Sequence, residues 1–309
     1  MNLTTYFVTL NWNTTDLLKQ MITSVEATVL ERRRWVIIDN GSDRENTLAL
    51  YDWANKQPKG DVFILVAAAA RKLYWNPELE AVQTVIVRSP TNLGCVEGCN
   101  LALDVVKALT FRGCRPHEVV LINTDVVVNE QGWLDRLHAW LEDKPQIGIV
   151  GLEHSRGAKC ASAIFLDTNG NWYVQGDQPM RATPVESESV GFGMVMLRWP
   201  VLEAGLRFDP RYAMYYKQDD DFAFQVRTMG LEVWAFPIDC LHWGSGSLKA
   251  NEYHVGDAQG RAEFEQVKQA NQRRFAEKWA WLLRGRRGSW EGEMSHLAEM
   301  KRVMADRRH

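Results

Sequence analysis

Two acidic clusters stand far apart in this chain of 309 residues. Leu121-Ile-Asn-Thr-Asp125 closes a short apolar run, and Tyr215-Tyr-Lys-Gln-Asp-Asp-Asp-Phe222 opens a new segment after a polar stretch. A carboxylate just past a strand can hold a hard divalent cation. A carboxylate at a helix start can take a proton from a hydroxyl. A site with both can neutralise a departing diphosphate while it activates the attacking oxygen.

Those carboxylates need elements to position them. Tyr6–Leu10 and Trp35–Asp39 read as buried strands, the second stopped by Asn-Gly. Helices follow each, one from Thr14 or Thr15 to about Thr28, the other to about Ala54. Val62–Val66 and Thr84–Val87 are further strands. The loop Asn92-Leu-Gly94 leads into a helix to about Leu109, then comes a strand at Val119–Ile122. Trp133–Leu141 carries an amphipathic helix and Ile147–Gly151 a strand. Such alternation predicts a mostly parallel sheet covered by helices, with ligands at the carboxyl ends of its strands. Asn11, Asp39, Asn92 and Asp125 each fall just past such an end.

The second half is more mixed. Ala161–Leu166 and Asn171–Val174 read as a hairpin, Gly191–Leu197 as a strand whose glycines let another group come close, and Asp219–Met229 as a helix ending at Gly230. Leu231–Phe236 is a strand, Asp257–Arg284 a charged helix, and Trp290–Arg308 a last helix. Met194 and Met196 belong to the core.

Composition sets the bounds. Apolar residues make up 46% and charged residues 24%, enough for a sizeable core. A formal charge of −3 gives no reason to expect a nucleic-acid partner from bulk charge. The 13 Trp residues are spread along the chain, which favours packing roles, with Trp172 and Trp243 candidates to stack on sugar rings. Five Cys residues without zinc spacing suit a reducing compartment, and Cys95 and Cys99 read as small buried residues. Met1–Thr9 lacks the pattern of a signal peptide, and the longest apolar run, Val62–Ala70, is too short to span a bilayer. A cytoplasmic protein is expected, with peripheral membrane contact open.

The segments Val8-Thr-Leu-Asn-Trp-Asn13, Ile38-Asp-Asn-Gly-Ser-Asp43, Asn92-Leu-Gly-Cys-Val-Glu-Gly-Cys-Asn100 and Leu121-Ile-Asn-Thr-Asp125 occur in order. They are followed by Gly191-Phe-Gly-Met-Val-Met-Leu-Arg198, Arg207-Phe-Asp-Pro210, the Asp219 cluster with Arg227 and Gly230, and Leu241-His-Trp-Gly244. Over roughly residues 6–280 this series resembles inverting glycosyltransferases of the GT-A fold, of the large family 2 type, closest to its rhamnosyltransferase-like branch. The resemblance implies an α/β fold, a mostly parallel central sheet flanked by helices, and a C-terminal helical extension. The expected catalytic domain is 1–256. Residues 1–150 form its nucleotide-sugar half and 151–256 its acceptor half, with an inserted arm at about 66–83 and an extension at 257–309.

The resemblance also implies roles. Asp39 would read the nucleobase, with Asn40 shaping its loop. Thr9, Asn11, Asn92, Gly94, Asn100, Asn123 and Thr124 would contact the nucleotide diphosphate sugar, whose nucleotide is UDP, dTDP or GDP. Backbone N–H groups at the helix start after Asn92 suit an anion. Asn123-Thr-Asp125 matches the family's metal motif, with Asn in its first place. Asp125 would hold Mn²⁺ or Mg²⁺ between protein and diphosphate, and His242 would be a second contact to the metal or to the diphosphate, an imidazole ligand favouring Mn²⁺. Asp219 would be the base, with Asp220 the second candidate; their side chains diverge by about 100° on a helix, so only one can face a given atom. Gln218 stands where the family usually has Glu. Asp221 is expected to support the loop or pair with Arg227. Gly191, Phe192, Gly193, Tyr212 and Trp243 would border the acceptor, with Asp209 nearby.

A saccharide or glycoconjugate is the expected acceptor. Two alternatives stand beside it: the same fold glycosylating a modified nucleic-acid base or a protein, and a degenerate nucleotide-sugar-binding module without activity. The arm holds Tyr74-Trp75 and would serve as a lid, an acceptor-recognition element or an oligomer contact. The basic tail, with Arg286, Arg287, Lys301, Arg302, Arg307 and Arg308, offers a nucleic-acid or membrane-surface contact.

Overall fold

A computed structural model describes residues 5–30, 33–73, 79, 82–110, 118–152, 163–166, 169–174, 183–212, 216–243, 258–283 and 297–304. The strands are β1 (Thr5–Asn11), β2 (Arg33–Asn40), β3 (Val62–Val66), β4 (Thr84–Ser89), β5 (Glu118–Ile122), β6 (Val126–Val128) and β7 (Ile147–Gly151). They continue with β8 (Ala163–Leu166), β9 (Trp172–Val174), β10 (Val185–Glu186), β11 (Ser189–Val190), β12 (Met194–Arg198), β13 (Glu232–Ala235) and β14 (Cys240–His242). The helices are α1 (Thr15–Thr28), α2 (Arg44–Asn55), α3 (Ala67–Ala70), α4 (Gly94–Leu109), α5 (Trp133–Leu141), α6 (Trp199–Glu203), α7 (Gln218–Thr228), α8 (Ala258–Lys278) and α9 (Ala280–Leu283). Residues 297–304 are helical as well.

Nine strands form one sheet in the order β10-β13-β7-β12-β5-β1-β2-β4-β3. Pairing is parallel from β5 through β1, β2 and β4 to β3, and again between β7 and β13. β12 runs antiparallel to both neighbours, β5 and β7. The mostly parallel sheet expected from strand–helix alternation is therefore present. Both of its faces are covered, which is why its central strands send apolar side chains to both sides. Tyr6 and Val8 face one core with Val96 and Ala102 of α4, while Phe7 faces the other with Leu18, Met21 and Val25 of α1. Leu18, Met21, Ile22 and Val25 recur at helical spacing and are all buried, so α1 docks by one stripe. Each such burial contributes about 1.5–3 kcal/mol.

Several expectations shift in detail. The strand expected at Gly191–Leu197 begins only at Met194, although the backbone contact with β5 runs one residue further, Gly193 C=O accepting from Asn123 N–H (2.7 Å). The hairpin of β8 and β9 is present, with Ala161 and Ser162 outside the described residues. The expected long helix breaks at Trp279 into α8 and α9. Phe275, Trp279, Leu282 and Leu283, with Met300 and Met304 beyond, are buried in the core of the sheet, so the C-terminal helices complete that core.

The arm expected at 66–83 is anchored at both ends. Ala67, Ala70, Leu79 and Val82 join the core, and the Arg34 guanidinium donates to the carbonyls of Val82 (2.8 Å) and Leu79. Tyr74-Trp75 lies outside the described residues. So do Arg286, Arg287, Arg307 and Arg308 of the tail; Lys301 instead bridges Glu186 (2.8 Å) and Glu232 (2.9 Å), and Arg302 pairs with Glu299.

Candidate active site

The carboxyl ends of β1, β2, β4 and β5 lie side by side, with Asn11 opposite Asp39 and Asn40 opposite Ser89 in the ladders. Asp39 is wholly buried there. Burial pushes its carboxyl above the usual range, opposed by hydrogen bonds from Ser42 and Thr47 and by the charge of Arg88 (3.7 Å). Its Oδ1 has no hydrogen-bond partner. A buried carboxylate oxygen in that state is a place where an N–H donor would relieve a desolvation cost of about 1–3 kcal/mol.

The loop after β2 is locked to the start of α4. Asn40 Nδ2 donates to Asn92 Oδ1 (3.0 Å) and to the Gly94 carbonyl (3.3 Å), and its Oδ1 accepts from Leu93 N–H (2.9 Å). Asn92 Oδ1 also accepts from Gly94 N–H (2.8 Å). Gly41 adopts φ 78°, and a Cβ there would sit 2.3 Å from Asn92 N. Left-handed strain alone is of order 1–3 kcal/mol, so Gly41→Ala is expected to cost at least that much, read as a lowered urea midpoint, and to loosen the loop that carries Asp39.

Several residues expected at the donor have structural partners instead. Asn11 donates to Thr15 Oγ1 (3.2 Å) and accepts from Thr14 Oγ1 (3.1 Å), holding the start of α1. Thr124 is buried with its hydroxyl 3.1 Å from that of Thr14. Asn100 clamps the backbone of Phe208 in both directions at 2.9 Å. Thr9 is buried and its hydroxyl has no hydrogen-bond partner. Thr9 and the exposed Asn123 line a narrow cavity of about 40 Å³ together with Cys95, Phe192, Phe208 and Gln218. The cavity joins the ends of β1 and β5 to the first turns of α4 and α7.

Asp125 and His242, 117 positions apart, are brought together by the antiparallel ladder of β6 and β14, in which His242 faces Val126. His242 Nε2 lies 3.3 Å from Asp125 Oδ1, and both are nearly buried. An imidazole and a carboxylate so placed fit a divalent cation. Among the described residues no group of three His, Cys, Asp or Glu forms a fuller ligand set, so this pair would hold the ion from one side. Trp243, beside it, is 45% exposed.

α7 separates the three aspartates by environment. Asp219 keeps part of its surface open, and its carboxyl is pushed up to about 7, first by burial and then by the charge of Asp220. Asp220, the second candidate for the base, is fully buried and paired with Lys217 Nζ at 2.7 Å, which leaves Asp219 the more open of the two. Asp221 does not pair with Arg227. It accepts from Tyr212 Oη (3.1 Å), Gln225 Nε2 (2.8 Å), Lys278 Nζ (2.9 Å) and Trp279 Nε1 (2.8 Å). Arg227 turns instead to Glu186 (3.4 Å) and the carbonyls of Ser187 and Glu188.

That network corrects Tyr212, expected at the acceptor: it is fully buried, and burial beside Asp221 drives its hydroxyl far above the usual range. Asp209 is held well below the usual range by Arg211 and Lys278, a cross-link between the loop and α8. Phe192 does reach the cavity, packed edge-on against Phe208 and Phe222 at 5.8 and 6.0 Å, with Gly191 and Gly193 on either side. Lys217, Lys278 and Trp279 carry no motif, and nothing in the sequence pattern singles them out.

No protein-family model matches the chain, and no curated protein matches it. Solved structures do. One is a mannosyltransferase of Pyrobaculum calidifontis in complex with GDP-Man and Mn²⁺, with a TM-score of 0.50 and 14% identity over 96% of this chain and 74% of that one. Another is GalNAc-T7 with UDP, GalNAc and Mn²⁺, with a TM-score of 0.56 and 13% identity over 90% of this chain and 56% of that one. At such identities the likeness is one of architecture: the chain has the GT-A fold of nucleotide-sugar glycosyltransferases.

Proposed function

We propose that this protein is a metal-dependent inverting glycosyltransferase of family 2 type, in the rhamnosyltransferase-like branch. It moves a hexose or deoxyhexose from a UDP-, dTDP- or GDP-sugar to a hydroxyl of a saccharide or glycoconjugate. One observation carries the reading: a partly open carboxylate, Asp219, directly follows Gln218, which lines the cavity at the strand ends, and the Asp125–His242 pair lies just past the same β5 end. The two solved neighbours, each with Mn²⁺ and a nucleotide or nucleotide sugar, support it.

Asp39 offers its unpartnered Oδ1 to an N–H of the base. The loop braced by Asn40 and Asn92 presents backbone at the start of α4, where an anion is favoured. Asp125 and His242 would hold Mn²⁺ or Mg²⁺, and a bound ion there neutralises charge on the departing diphosphate. Asp219 takes the proton of the acceptor hydroxyl as that oxygen bonds to the anomeric carbon and the diphosphate leaves from the opposite face, which inverts the centre. Phe192 and the exposed Trp243 offer apolar faces to sugar rings. No described helix is long and apolar enough to cross a membrane, and a cytoplasmic setting is part of the proposal.

The test is a thermal-shift and hydrolysis screen of the purified protein against UDP-, dTDP- and GDP-sugars, with and without Mn²⁺. Binding raises apparent stability by mass action, about 2.7 kcal/mol at a ligand concentration 100 times Kd. One nucleotide should give a metal-dependent shift and slow release of its diphosphate, and Asp125→Ala should lose the metal dependence of both. No shift with any of them at millimolar ligand and metal would leave the degenerate binding module as the better reading.

A further inference from the structure

Lys217 has no role in the chemistry above, yet it is one of the largest fully buried side chains in the protein. Its backbone is left-handed, φ 69°, on the N-terminal flank of α7. A lysine is almost never fully buried without a partner. Here Nζ lies 2.7 Å from Asp220 Oδ2, and that carboxylate is equally buried. The rings of Phe275 on α8 and of Tyr216 lie 5.3 and 5.4 Å from Nζ, within cation–π reach. A buried ion pair is poor evidence for stability, because apolar residues of similar volume often serve as well. The location of this one is informative.

Asp219 adjoins the pair, its Oδ1 accepting from Asp220 N–H at 3.0 Å. The groups facing it are Lys217 and Asp220 on the same turn, Tyr216 before it, and Cys95 on α4 with Cys99 behind. Tyr216 in turn faces Glu265 and Lys268 of α8. Of the charges bearing on Asp219, Lys217 supplies the positive one and Asp220 the negative one.

We propose that Lys217 and Asp220 are a buried positioning pair that fixes the first turn of α7 and balances the charge behind Asp219. The proposal rests on Asp219 being the base. Removing the ammonium leaves Asp219 facing an uncompensated carboxylate, so it keeps its proton to higher pH. Removing the carboxylate leaves it facing an ammonium, so it releases its proton at lower pH. Removing both restores the balance.

The experiment is the pH profile of kcat/KM for Lys217→Met, Asp220→Asn and the double variant, with the donor found in the screen. Carbon-13 NMR titration of aspartate-labelled protein, with Asp219→Asn to assign the signal, reads the same group without turnover. The acidic limb should rise by about one pH unit or more in Lys217→Met and fall by a similar amount in Asp220→Asn, as expected for a charge within a few ångströms. It should return to near the wild-type position in the double variant. Coincident limbs, or shifts of one sign in both single variants, would overturn the pair. If Lys217→Met does not fold, Asp220→Asn and the double variant decide, and a limb that fails to fall in Asp220→Asn overturns it. Full turnover by Asp219→Asn would remove the base itself; an inactive Asp219→Asn with unmoved limbs would remove only the pair.

Discussion

Asp219→Asn is expected to lower turnover by about a hundred- to ten-thousand-fold, the usual contribution of a positioned general base. Nucleotide binding should be unchanged, because the elements proposed to hold the donor lie on other strand ends. The pH dependence has a definite sign. A base must be ionised, and Asp219 sits at about 7. The kcat/KM of the wild type should rise as pH rises through 7 and fall away below it. Stability should move the other way. The folded protein holds this proton more tightly than the unfolded chain does, so ionising Asp219 between about pH 4 and pH 7 weakens the fold. Asp219→Asn removes that cost and keeps an oxygen to accept from Asp220 N–H. The variant should melt above the wild type at pH 8, with the gap narrowing as pH falls and closing only near pH 4. A variant that keeps full turnover, or that melts below the wild type at pH 8, would contradict this account of the site.

The second large effect concerns Asp221. Its two oxygens take hydrogen bonds from a phenol, an amide, an ammonium and an indole, drawn from α7, α8 and the loop before α7. Truncating it strands two buried donors, Tyr212 Oη and Trp279 Nε1, together with the part-buried Gln225 amide and the ammonium of Lys278, whose side chain is 25% exposed. Each buried donor left unsatisfied costs about 1–3 kcal/mol. Asp221→Ala should lower the urea midpoint accordingly. Lys278→Met removes the same interaction from the other end, so the double variant should cost less than the sum of the two. Strict additivity would show that Asp221 and Lys278 act independently.

Much of the scaffold was legible because it rests on local periodicity. Val62–Val66, Trp133–Leu141 and Ile147–Gly151 have the same ends in sequence and structure: the first is a run rich in β-branched and aromatic residues that gives way to four alanines, the second an amphipathic stripe at helical spacing, the third a short apolar run. β12 starts later than the apolar run suggests because Gly191 and Gly193 allow many conformations and carry no side chain to hold an extended one. The candidate site divides in the same way. Only the order of motifs shared with the family links Asp125 to His242 in the sequence; the ladder that joins them is not a property of either segment. Asn11 is read as a ligand contact from its place at a strand end, Asn100 and Tyr212 from the resemblance alone. Each instead satisfies buried backbone or side-chain groups, a demand visible only once the partners are in place. Asp220 and Asp221 look alike in sequence, and what separates them from Asp219 is two lysines that arrive from different distances, Lys217 from the same turn and Lys278 from 57 positions on.

The ladder between β6 and β14 has a consequence for synthesis. Asp125 leaves the ribosome 117 residues before His242, an interval of about 6–23 s at common elongation rates of about 5–20 residues per second. The nascent chain can bury most of β1 to β5 in that time, yet the carboxylate has no imidazole to share an ion with. Capture of the proposed cation by this pair is therefore a late event, and a chain that stops before His242 would carry Asp125 without its partner.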